Sequence, residues 1–122
     1  MRLLDSNIII YATQALHLPQ LKSLLASPDS LVSEITRLEA LGFHRLSLGD
    51  KLFLEETFST MQVLGIDKAI IDKAIALRQQ RKMSAGDAIH AATALLSNLE
   101  LHTRNMVDFN WIKGLKVVNP IL

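Results

Sequence analysis

The chain has no cysteine among its 122 residues, which removes disulfides, thiolate metal sites and thiol nucleophiles together. No apolar run approaches the roughly 18–20 residues needed to span a bilayer. Aromatic residues are few, four Phe, one Trp and one Tyr, and they are scattered. They offer no stacking platform of the kind single-strand nucleic-acid binders use. Three prolines and five glycines nowhere gather into a linker. The net charge is only +1, so any contact with phosphate must come from a local patch rather than a basic coat. The opening Met1-Arg2-Leu3-Leu4-Asp5 lacks the apolar core and small-residue cleavage site of a signal peptide, and a cytoplasmic protein is expected.

What remains is ordinary for a packed domain: 49% hydrophobic and 20% charged residues, read as a single domain over 1–122. Strands are expected at 2–4, 30–33, 61–64, 99–103 and 115–118. Helical patterns fall at 8–12 behind the capping cluster Asp5-Ser6-Asn7, and at 19–26, 34–46, 50–60, 67–81 and 88–96. Leu52, Phe53, Leu54 and Phe58 on the helix at 50–60 must face either the core or another chain. Strands alternating with helices imply an α/β fold, a central parallel sheet with helices on both faces.

In such sheets ligands bind beyond the C-terminal ends of the strands. Asp5 follows the first strand, Glu39 lies in the helix after 30–33, Asp87 opens the helix at 88–96, and Asn105 and Asp108 follow the strand at 99–103. Carboxylates gathered at one rim repel each other unless a cation sits between them. Oxygen ligands alone suit Mg²⁺ or Mn²⁺. Each acid also has a plainer reading. Thr36-Arg37-Leu38-Glu39 and Ser84-Ala85-Gly86-Asp87 both have capping-box spacing. Asp5 fits an N-cap, and Asp108 a solvated turn.

Four ordered blocks carry a family resemblance over nearly the whole chain. They are Met1-Arg2-Leu3-Leu4-Asp5-Ser6-Asn7, then Val32-Ser33-Glu34-Ile35-Thr36-Arg37-Leu38-Glu39-Ala40-Leu41, then Asp87-Ala88-Ile89-His90-Ala91-Ala92-Thr93-Ala94-Leu95, and Leu101-His102-Thr103-Arg104-Asn105-Met106-Val107-Asp108-Phe109. Together they resemble the PIN domain family, specifically the VapC-type toxin ribonucleases. The resemblance implies Mg²⁺- or Mn²⁺-dependent hydrolysis of RNA phosphodiester bonds leaving a 5′-phosphate. Asp5 and Asp87 would be the primary ligands, with Glu39 and Asp108 completing the catalytic set. It further implies a small VapB-like antitoxin partner whose C-terminal segment occupies the cleft, and a toxin homodimer. The fourth block offers neutral Asn105 as well as Asp108, and either one could complete the site.

Beside the acids, Ser6 and Thr103 could hydrogen-bond the carboxylates and fix their rotamers. Arg78, Arg81, Lys82 and Arg104 could hold flanking phosphates, or simply favour a helix C-terminus. Residues 73–104 carry five bases and two acids, against four bases and eight acids in 29–72. The histidines His17, His44, His90 and His102 have no zinc-site spacing. His90, on an apolar helix, reads as a packed or partner-contacting residue, and Phe109 and Trp111 read as core cover. Three rival readings stay open: a PIN-fold interaction module without activity, a DNA-directed nuclease, and a phosphohydrolase with Asp5 as covalent nucleophile. The last would want an acid at position 7, where the chain has Asn7.

Overall fold

The computed structural model describes residues 1–14 and 18–121, so His17 lies outside the described residues. The elements run β1 (Arg2–Leu4), α1 (Ser6–Ala12), α2 (Leu18–Ala26), β2 (Ser30–Ser33), α3 (Glu34–Leu41), α4 (Leu48–Thr60), β3 (Gln62–Leu64), α5 (Lys68–Gln80), α6 (Ala85–Leu96), β4 (Glu100–His102) and β5 (Val117–Val118), with one 3-10 turn at Met106–Asp108. The sheet is wholly parallel in the order β3-β2-β1-β4-β5. The chain builds outward from β1 on one side, then returns to lay β4 on its other side. The strand order therefore reverses between β1 and β4, where open α/β sheets place their ligand crevice.

Alternation along the short strands divides the core into two layers. Leu3, Leu31 and Leu101 pack on one face against Ile70, Ala74 and Leu77 of α5 and the alanines of α6. Leu4 and Val32 pack on the other against Ile8 and Ile9 of α1, Leu21 of α2, Ala40 of α3, and Leu54 and Phe58 of α4. The expected α/β architecture with helices on both faces is borne out. Of the apolar residues on α4, Leu54 and Phe58 enter the core while Leu52 stays exposed. The small side chains of Ala88, Ala91, Ala92 and Ala94 let α6 sit close to the sheet, all nearly or fully buried.

The helix starts follow side-chain caps more than apolar periodicity. Asp5, Ser33, Ser47, Asp67 and Ser84 each accept a backbone N–H of the turn they open. Three expectations fail for this reason, the first at α1, which begins at Ser6 behind Asp5 rather than at residue 8. The helix expected at 50–60 begins at Leu48 behind Ser47, and the one expected at 88–96 begins at Ala85 behind Ser84, making Asp87 its third residue. Thr36 is not a cap at all; it lies buried inside α3 behind Ser33, so Glu39 is no capping-box acid. The helix expected to run to 46 stops at Leu41. The Gly42 amide donates to the Leu38 carbonyl at 2.8 Å, and a Cβ there would overlap that carbonyl.

Leu101 is fully buried on β4, between β1 and β5. Leu101→Ala should cost about 2–5 kcal/mol, read as a lowered urea midpoint with unchanged slope.

Candidate active site

β1 and β4 pair in register, Leu4 opposite His102, so the next residues on each strand, Asp5 and Thr103, arrive side by side. The Asp5 amide donates to the His102 carbonyl at 2.9 Å. The Asp5 carboxylate is then fixed from two sides: Ser6 N–H donates to Oδ1 at 2.7 Å and Thr103 Oγ1 donates to Oδ2 at 2.8 Å. Thr103 Oγ1 in turn accepts from Asn7 Nδ2 at 3.2 Å and Asn105 N at 3.1 Å. Asp5 is only 5% exposed, and these bonds compensate the burial of a charge. Asp5 is thus both the cap of α1 and a wall of the crevice.

Ser6 reaches the other way, donating from Oγ to Glu39 Oε1 at 2.7 Å. Glu39 comes from α3, which follows β2, the strand beside β1. His90, three residues after Asp87 on α6, points its Nε2 into the same cluster, 3.2 Å from Asp5 Oδ1 and 3.3 Å from Glu39 Oε1. The hydrogen bond to His90 holds Glu39 below its ordinary value, helped by Ser6 and opposed by burial. Asp87 behaves in the opposite way. Partial burial, reinforced by repulsion from Asp5 and Asp108, raises it above 3.8, against weaker attraction from His90 and the bond with Ser84.

Asp87 and Asp108 line a cleft of about 530 Å³ whose other walls include Arg78, Arg81, Lys82 and Trp111. Three of the four expected phosphate contacts therefore flank the acids. The fourth, Arg104, is elsewhere: its guanidinium carbon lies 3.4 Å above the centre of the Tyr11 ring. Of the two residues offered by the fourth block, Asp108 shares the cleft with Asp87 and repels it, whereas Asn105 bonds through its backbone to Thr103 and Asp108. Phe109 is 1% exposed, core as expected. Trp111 packs against the edge of the core, as expected. It is half-buried beside the cleft, with Nε1 donating to the Asp108 carbonyl at 3.0 Å and Arg81 5.4 Å above its ring.

The residues missed from sequence are polar groups behind the acids: His90, Thr36 (3.1 Å from Ser6 Oγ) and Asn7. His90 is fully buried, which rules out the partner-contact reading. One signal was available, since His90 follows Asp87 by three residues and a helix puts such a pair on one face.

Among the described residues no three His, Cys, Asp or Glu side chains are already closed around one cation-sized point. The donor chemistry nevertheless fits a hard divalent cation. The groups are oxygens from Asp5, Glu39, Asp87 and Asp108, and Asp87 is raised first by burial and then by the acidic charge of Asp5 and Asp108.

The parallel sheet with acids at its reversal point defines an α/β domain with an acidic crevice beside a basic wall. Comparison with known proteins gives the class its name. A model of the PIN domain family matches residues 2–108. The chain belongs to the PIN domain family. No curated protein sequence matches it. Among solved structures it resembles a toxin-antitoxin complex from Klebsiella pneumoniae (33% identity over 98% of each chain, TM-score 0.80) and FitAcB from Neisseria gonorrhoeae (26%, 98% of each chain, TM-score 0.78). VapBC2 from Rickettsia felis, bound to a DNA fragment from their promoter, shares the fold at 19% identity (97% of each chain, TM-score 0.79). Among the described residues no helix is long and apolar enough to cross a membrane.

The two leading acids should differ in their effect on stability. Asp5→Ala removes a cap and two hydrogen bonds and should cost about 0.5–2 kcal/mol, contrary to the simple expectation that removing any crowded acid relieves repulsion. Asp87→Asn should raise Tm at pH 7 in chelator. The native state keeps the Asp87 proton to higher pH than the unfolded chain does, so the ionised acid opposes folding at neutral pH. The gain should be full above the raised native value, fade as pH falls through it, and be absent below the unfolded value near 3.8. Thermal melts of both variants from pH 7 to pH 3.5 check the two signs.

Proposed function

We propose that this PIN domain is a metal-dependent endoribonuclease, the toxin of a toxin–antitoxin pair, acting in the cytoplasm. The observation that carries the reading is the gathering of acids at one end of the sheet: Asp87 and Asp108 line one cleft, burial and repulsion from Asp5 and Asp108 raise Asp87, and Glu39 meets Asp5 through Ser6 and His90. Asp5 and Asp87 would hold Mg²⁺ or Mn²⁺, with Glu39 and Asp108 completing the set. Such an ion, when bound, neutralises phosphate charge and makes its water more acidic. Arg78, Arg81 and Lys82 line the same cleft as Asp87 and Asp108 and bind the phosphates flanking the scissile bond. Ser6 and Thr103 hold the carboxylates of Glu39 and Asp5 by the bonds at 2.7 and 2.8 Å, so these ligands need no reordering before substrate arrives.

Toxin–antitoxin complexes among the similar structures support a VapB-like antitoxin partner, and a toxin homodimer is part of the same proposal. A basic side chain from the antitoxin beside Asp5, Glu39 and Asp87 would satisfy these acids by charged hydrogen bonds.

RNA and DNA oligonucleotides incubated with the protein in Mg²⁺, in Mn²⁺ and in chelator test the reading. RNA should be cut to 5′-phosphate products only with metal. Asp87→Ala should lower the rate by at least about 100-fold, the scale of losing one charge-stabilising group at a reacting centre. Asp108→Asn should cost more than Asn105→Ala, because only the former removes charge from the cleft. Metal-independent cutting, or exclusive cutting of DNA, contradicts the proposal. Raising salt should weaken RNA binding, with a slope that falls by roughly 0.7 for each of Arg78, Arg81 and Lys82 replaced by Ala.

A further inference from the structure

One helix turn builds the seat of Glu39. Its carboxylate lies against the backbone of Gly86, where a Cβ would stand 2.6 Å from Oε2, 3.2 Å from Cδ and 3.3 Å from Oε1. No alanine fits there unless Glu39 moves. From the next turn of α6, His90 Nε2 meets Glu39 Oε1 at 3.3 Å, Asp5 Oδ1 at 3.2 Å and Ser6 Oγ at 3.1 Å. Two of those three oxygens belong to carboxylates, which only accept when ionised, so Nε2 is the nitrogen that carries hydrogen. Nδ1 is buried with no partner among the described residues, and His90 as a whole is fully buried. The ring is therefore held in the core with its one useful edge turned to the acids. Gly86, Asp87 and His90 share a single turn and a half of α6, so the register of that helix sets where Glu39 stands relative to Asp87.

We propose that Gly86 and His90 are positioning residues that act through Glu39: Gly86 leaves room for its carboxylate, and His90 clamps it beside Asp5. The proposal rests on the reading of the crevice as a divalent-cation site. Isothermal titration of Mn²⁺ into the full chain tests it without reference to cleavage. His90→Leu, which keeps bulk and loses the donor, should weaken Mn²⁺ binding by about 10–100-fold, the usual cost of losing a group that orients a ligand. Gly86→Ala should do the same by displacing Glu39. His90→Gln, which restores an N–H donor near the position of Nε2, should stay within a few-fold of wild type. In a Glu39→Ala background, His90→Leu should add less than about two-fold, the scatter of independent sites.

Circular dichroism and Tm identify variants that fail to fold. If His90→Leu is among them, Gly86→Ala, an exchange inside a helix, carries the test. Wild-type binding with unchanged affinity in folded His90→Leu or Gly86→Ala overturns the positioning role and leaves the function standing. Equal loss in His90→Gln and His90→Leu also overturns it, as does an undiminished loss in the Glu39→Ala background. Absence of Mn²⁺ binding to the wild type overturns the functional reading itself.

Discussion

The rim of this molecule depends on the parallel pairing of β1 with β4. Leu4 stands opposite His102, and one step further along each strand the sheet ends with Asp5 beside Thr103. A slip of one residue would turn every side chain of β4 to the opposite face, putting Leu101 toward the wrong core layer and Thr103 out of reach of Asp5. The hydrophobic alternation that selects the register is thus the same constraint that places the first acid. The strands are only a few residues long, so helices carry the rest: α3 brings Glu39, α6 brings Asp87, and the 3-10 turn after β4 brings Asp108.

The acids are not equivalent once placed. Asp5 is satisfied by Ser6 and Thr103 and belongs to the scaffold as much as to the crevice. Glu39 is drawn below its ordinary value by His90 and Ser6. Asp87 is left with burial and two acidic neighbours that outweigh its favourable contacts. A fold that keeps such a residue at a helix start holds unfavourable charge where stability alone would choose a neutral one, a pattern that belongs to functional sites. Arg78, Arg81 and Lys82 line the same cleft, where the proposed anionic substrate would meet them despite the acids.

Much of this was legible in the sequence. Alternating apolar runs and helical patterns are enough for a parallel α/β sheet, and the rule that ligands sit at strand C-termini brings Asp5, Glu39, Asp87 and Asp108 to one end. Other features escaped for identifiable reasons. Periodicity does not see caps, so α4 begins earlier than its apolar residues suggest, behind Ser47, and α6 begins behind Ser84, the cap that the Ser84–Asp87 spacing offered. It also does not see the close backbone approach at Gly42 that ends α3. His90 looked like a packed residue because its surroundings on α6 are alanine and isoleucine; its role comes from Ser6 and Glu39, which are 84 and 51 residues away in the chain. The surroundings of Arg104 and Trp111 escaped for a similar reason. A ring contact with Tyr11 draws Arg104 aside, and a bond to the Asp108 carbonyl places Trp111 at the cleft.

The central claim is that crowded carboxylates at the β1–β4 reversal make a seat for a divalent cation. Thermal unfolding of the wild type across a Mn²⁺ titration, with ionic strength held constant by monovalent salt, tests it most directly. Tm should rise and continue upward with the logarithm of free Mn²⁺ past the dissociation constant, reaching about 2.7 kcal/mol of added stability at a hundredfold excess over that constant. A Tm that does not move with Mn²⁺, or moves equally with monovalent salt, would contradict the account.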